Sequence, residues 1–223
     1  WTGAVQLSRE LESDNSVSTS QRLRAGQLQE GERLERTHYL EYQHARVDNS
    51  SGVRVSDASS IGATTQWVWR DLDNQLLPTK GLSAMTSITV GQSFATMESD
   101  GFFSRVYGKL VWYQPLPAGW YATSRGEVGQ VLARGAVSVP DTLLFKAGGD
   151  DSVRGYDYNS LGIVKDDATT GGRALATASL ELAHVITRRM PSLLGAVFAD
   201  TGAVSDHLSS LNPVTGYGVG LRW

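Results

Sequence analysis

Polar and apolar residues alternate along most of this chain, and the spacing of an amphipathic helix is hard to find. Between Thr37 and Val47, Tyr39, Glu41 and Gln43 fall on one side and Leu40, Tyr42 and His44 on the other. The stretch from Phe103 to Pro117 alternates, then gathers Trp112 and Tyr113 before prolines close it. Similar patterns recur near 1–11, 18–29, 60–70, 81–92, 120–129, 174–186, 193–201 and 214–223. This makes roughly ten strands of about ten residues, the length a tilted strand needs to cross the hydrocarbon of a bilayer. Strands of soluble sheets average about 5–6 residues. The pattern therefore predicts an all-β fold, a transmembrane antiparallel β-barrel, with a soluble β-protein as the competing reading. Turns are expected at Asp14-Asn15, 30–36, 48–59 and Pro115–Gly119 from their Gly, Pro, Asn, Asp and Ser content. One connection breaks the rhythm. From about 139 to 173 lie roughly 35 residues, against about 2–5 in a usual hairpin, and a loop that long is normally functional or disordered.

Composition narrows the function classes. The 223 residues suffice for one large all-β domain or two small ones. A net charge of −3 with both signs dispersed gives no nucleic-acid footprint. The chain has no cysteine, hence no disulfide framework, thiolate zinc site or cysteine nucleophile. No stretch approaches the uninterrupted apolar run of a membrane-spanning helix, although a barrel needs none. A start at Trp1, without methionine or signal peptide, is what a mature product or an excised piece would show. His38, His44, His184 and His207 lie in no Gly-x-Ser-x-Gly elbow and no His-Glu-x-x-His motif. Asp71-x-Asp73 opens like a calcium loop, yet Leu76 and Leu82 replace its glycine and terminal glutamate. No catalytic, metal or cofactor site is assigned, and enzymatic activity is not expected.

The long connection contains GGDDSVRGYDYNSLG, Gly148 to Gly162, with Val153, Arg154, Gly155 and Tyr156 at its centre. Alone, an Arg-Gly pair is a turn with a solvated charge, and an Asp before Thr-Gly is a turn former. If the loop folds into a barrel, Arg154 can cross the lumen at about 3.3 Å per extended residue. A guanidinium there stays charged and requires carboxylates for its forked donors. The following strands offer two. Leu180 and Leu182 toward lipid put Glu181 inward, and Val197 and Ala199 toward lipid put Asp200 inward. Gly155 would allow either a positive φ or a close backbone approach, and Tyr156 would pack on the inner wall. Arg154, Glu181 and Asp200 together predict a latch holding the loop inside.

Val153-Arg154-Gly155-Tyr156 resembles the Val-Arg-Gly-Phe/Tyr signature of outer-membrane barrels that insert or secrete proteins, the superfamily of BamA, TamA and the two-partner secretion transporters. In that superfamily the signature tips a sixth extracellular loop folded into the lumen. Phe198 to Gly202 resembles its Phe-x-Asp-x-Gly motif, and Ser179 to Leu182 stands in the place of the strand with the second lumen acid. Trp69 to Gly81 is similar to its Arg-Asp…Pro-Thr-x-Gly connection through Arg70, Asp71, Pro78 and Gly81. Gly216 to Trp223 resembles the strand before the last hairpin; Gly218, Leu221 and Trp223 alternatively resemble a C-terminal sorting signal. Motifs carry the likeness over 60–223, strand character alone over 1–59, and the spacing is most similar to the TamA branch.

The resemblance implies that residues 1–223 are part of a C-terminal barrel of sixteen strands, with POTRA domains and edge strands outside this sequence. It implies an outer-membrane protein of a Gram-negative bacterium, a translocase or insertase assisting assembly of autotransporters or other barrels. The implied partners are outer-membrane lipid, unfolded barrel or autotransporter substrates, and a periplasm-spanning, inner-membrane-anchored protein of the TamB kind. A two-partner secretion pore exporting a large exoprotein and a passive channel are the alternatives.

Overall fold

The computed structural model describes residues 1–96, 98–187 and 189–222; Trp223, part of the C-terminal motif, lies outside them. The chain runs β1 (Thr2–Leu11), β2 (Val17–Glu30), β3 (Leu34–Asp48), β4 (Arg54–Leu72), β5 (Gly81–Ala95), β6 (Gly101–Leu116) and β7 (Trp120–Ala133). Two short strands follow, β8 (Ile163–Lys165) and β9 (Ala168–Thr170), then β10 (Ala174–Thr187), β11 (Met190–Ser205) and β12 (Val214–Arg222). All but β8 and β9 form one 10-stranded antiparallel sheet in chain order, with β7 pairing directly to β10. The segment 134–173 is thus an excursion from a continuous meander, and β8–β9 is a small hairpin within it.

The two faces of the sheet decide its solvent. On β3, Leu40 and Tyr42 are exposed while Glu41 and Gln43 are buried. Ile61, Val90, Val106, Leu110, Val128, Leu180 and Val197 are likewise exposed, whereas Ser60, Thr89, Thr177, Glu181 and Asp200 are buried. So continuous an apolar outer face over a polar inner face would be a severe liability in water. It is the arrangement of a barrel wall in lipid. The competing soluble reading fails on this inversion.

Apolar burial is concentrated instead between the inner wall and the long loop. Phe103, Val131 and Leu175 of β6, β7 and β10 pack against Val137, Val139, Leu143, Phe145 and Ala147 of the loop. Gly129 is required beneath Phe145, because a Cβ there would run into the phenyl ring.

Several boundaries differ from the sequence reading. In the main sheet β1 and β12 have 10 and 9 residues, whereas the other strands run from 14 to 19, well past the length that crosses hydrocarbon. Alternation marks only their middles; beyond the lipid band either face can be polar. The turn expected over 48–59 is confined to 49–53, and Arg54–Ser59 is strand, braced by Arg54 ion pairs to Asp48 and Asp57 at 3.2 and 2.8 Å. Pro115 belongs to β6, opposite Tyr121. The excursion begins at Arg134, earlier than expected, and contains the β8–β9 hairpin, which the sequence reading did not anticipate.

Candidate functional site

Three strands prepare a small inward-facing platform. Their register sets Ser179, Asp200 and Gly216 in one row and Glu181, Phe198 and Gly218 in the next. Period two sends all six inward, and the glycines on β12 keep the floor low. Above it the loop turns through Gly148 and Gly149, both at positive φ (105° and 94°). Gly148 N donates to Ser152 Oγ at 2.7 Å, and Gly149 N to the Tyr156 carbonyl at 3.0 Å, closing the tip. Val153 is fully buried. A Cβ on Gly202 would lie 2.7 Å from Val153 Cγ2, and one on Gly216 would strike the Arg154 carbonyl. Of the two roles open to Gly155, the structure takes positive φ (94°), with open space where a Cβ would project. Tyr156 is half-buried, so Val153 fills the wall more deeply than Tyr156 does.

Arg154 meets both acids. Its Nε and Nη2 donate to the two oxygens of Asp200 at 2.8 and 2.9 Å, a forked pair. Its backbone N donates to Asp200 Oδ2 at 3.0 Å, tying the main chain to the same carboxylate. Nη1 donates to Glu181 Oε2 at 2.5 Å, and Nη2 to Ser179 Oγ at 3.2 Å. The guanidinium carbon stands 3.6 Å from the Phe198 ring centroid, a cation–π contact. One cation between two buried carboxylates would leave excess negative charge. Arg222 on β12 supplies the balance, with Nη1 2.9 Å from Glu181 Oε1. That contact is an ion pair without hydrogen-bond alignment, so Glu181 Oε1 keeps an unused acceptor. Hydrogen bonds to Asp200 outweigh burial and hold the Arg154 guanidinium well above its ordinary value. It stays charged throughout the accessible pH range.

The loop has further anchors. Arg105 donates to the Leu143 carbonyl at 2.8 Å and lies over the Phe145 ring at 4.4 Å. Lys146 sits between Glu12 (3.2 Å) and Asp141 (3.1 Å). Thr169 N donates to Asp14 Oδ2 at 2.5 Å. One excursion from β7 thereby touches the β10–β12 wall at its tip and the β1–β2 turn at its flanks.

The remaining motif residues are not brought to Arg154. Arg70, Asp71, Pro78 and Gly81 lie at the opposite end, around the β4–β5 turn. Arg70 pairs with Glu35 at 3.2 Å and Asp71 with Arg33 at 3.4 Å. Gly81 takes φ +124°, where a Cβ would strike the Asp71 carbonyl. Asp73, which opened like a calcium ligand, accepts instead from Thr79 N (3.0 Å), Thr79 Oγ1 (2.6 Å) and Lys80 N (3.0 Å), the Thr79 hydroxyl above all keeping its carboxyl at about 2. Sequence reasoning left Arg222 and Ser179 without a role and gave Phe198 only as motif support. The alternating glycines of Gly216-Tyr217-Gly218 were the signal of a floor cleared for something above it.

The family model described as the Omp85 superfamily domain matches residues 2–223. The chain belongs to the Omp85 superfamily. Its fold is similar to BamA from Haemophilus ducreyi lacking POTRA domains 1–3, with TM-score 0.72 at 19% identity over 99% of this chain. It is also similar to CdiB from Acinetobacter baumannii, with TM-score 0.56 at 16% identity over 93% of this chain. The chain spans 52% of that BamA chain and 36% of the CdiB chain. This Omp85 domain is an outer-membrane β-barrel domain of the Gram-negative kind.

Proposed function

We propose that this Omp85 domain belongs to a non-enzymatic translocase or insertase of the TamA branch, assisting autotransporters and other barrels into the outer membrane. One observation carries the reading: the long loop fills the inner side of the wall and is fastened along its length. The apolar cluster around Phe145, the Lys146 triad and the Arg154 latch all oppose its withdrawal. A loop fastened in this way braces the barrel wall, where a sheet can template an incoming strand. The spacing of the motifs that follow Arg154, most similar to the TamA branch, favours this role over export of an exoprotein. The substrates are unfolded barrel polypeptides arriving from the periplasm, the surroundings are outer-membrane lipid, and the partner is a periplasm-spanning, inner-membrane-anchored protein of the TamB kind.

The test compares outer-membrane and secreted proteomes of the native host with and without the gene. Depletion of autotransporters or other barrels, with secretion intact, supports the proposal. Loss of one large secreted protein with barrels untouched would overturn it in favour of a two-partner secretion pore. Unchanged proteomes would leave a passive barrel.

A further inference from the structure

At the mouth opposite the long loop, the β4–β5 turn does something unusual for a polar connection. Leu76 and Leu77 are 89% and 79% exposed, yet the turn presenting them is rigidly built. Asp73 braces Thr79 and Lys80, and Asn74 Oδ1 accepts from Leu76 N and Leu77 N at 2.9 and 3.1 Å. The leucines form one wall of a cleft of about 500 Å³ whose other wall includes Tyr113, Tyr121, Leu194 and Arg222. Among the described residues, no carboxylate lines it. Among the described residues lining it, the one guanidinium is that of Arg222, in an unaligned contact with Glu181 Oε1.

We infer that this cleft is a polypeptide-binding site, taking an extended apolar segment that carries a carboxylate, with Arg222 as the anion-binding residue. Exposed leucines on a braced turn cost little conformational entropy when they are covered. The cleft is lined from the inward faces of β6, β7, β11 and β12, so lipid on the outer face is not its occupant. In an outer-membrane barrel the long loops face outward and the shorter turns face the periplasm. The cleft therefore opens where unfolded substrate arrives, and the inference rests on the proposed assembly role. A carboxylate drawing Arg222 away from Glu181 Oε1 would act on the same acid that holds Arg154 Nη1, so occupancy of the cleft is wired to the latch.

The experiment uses the full-length protein in detergent and a fluorescent ten-residue peptide of alternating leucine and serine, both ends capped, with one central aspartate or, in a twin, asparagine. Wild type is expected to bind the aspartate peptide about 10-fold more tightly, the affinity that a single desolvated ion pair of about 1.4 kcal/mol supplies. Arg222→Gln should erase that preference while leaving the asparagine peptide unaffected. Leu76→Ser with Leu77→Ser should weaken both peptides alike. Equal binding of the two peptides by wild type, or indifference to the leucine pair, would overturn the site. Because equilibrium binding needs no assembly in cells, such a failure is distinguishable from an unchanged proteome, which would instead remove the assembly reading.

Discussion

Arg154 concentrates the energetics of the site into a few atoms. Removing one partner of a buried ion cluster leaves charges unpaired, which costs about 3–5 kcal/mol. Arg154→Ala is expected to lower stability in lipid vesicles by that amount, read from urea unfolding by tryptophan fluorescence; a loss near zero would contradict the latch. Arg154→Lys keeps the charge but not the fork to Asp200, so it should recover less than half. Gly216→Ala is expected to unseat the tip without unfolding the sheet, because its Cβ meets the Arg154 carbonyl. Protease cleavage near Asp151, with strands intact, would show it. The inward direction of Glu181 and Asp200 is legible in the sequence, since Leu180 and Leu182 flank Glu181 and Val197 and Ala199 take the face opposite Asp200. The Phe198 stack and the glycine floor are not. They depend on the register of three strands, which no single segment specifies.

At the level of elements, the long loop is a packed element with little regular structure beyond the β8–β9 hairpin. Phe145→Ala removes an aromatic side chain from the cluster between loop and wall, and about 3–5 kcal/mol should be lost. Hydrogen exchange in 137–147 would rise more than in β10. The β1–β2 turn gives a pH-dependent anchor. Burial of the Asp14 carboxyl opposes ionisation, but hydrogen bonds from Ser16 and Thr169 outweigh it and hold the group at about 2. A depressed folded pKa stabilises above the unfolded value of 3.8 and loses that contribution as pH falls toward 2. The Thr169 amide's protection, measured relative to the intrinsic exchange rate at each pH, should therefore be high at pH 5 and lower near pH 2, and equal protection at both would contradict this anchor. Strand middles were legible because period two is enforced where one face meets lipid. Strand ends were not, since Arg54–Ser59 and Pro115 lie where lipid imposes no alternation. The β8–β9 hairpin escaped because three-residue strands are too short to show a period.

Over the whole molecule the decisive property is inversion: apolar outside, polar inside, with the apolar core displaced to the contact between wall and loop. That arrangement makes the loop a part of the wall's stability, and under the proposed assembly role a latch that sets its position sets the state of the wall facing an incoming strand. The most direct measurement is the amount of folded autotransporter and other barrel protein in outer membranes of host cells carrying Arg154→Ala, compared with cells carrying Arg154→Asp together with Asp200→Arg, at matched levels of the Omp85 protein. Depletion in the single variant with partial return in the exchanged pair is the predicted result. Barrel levels unchanged in the single variant, with its loop shown to be released, would contradict the account.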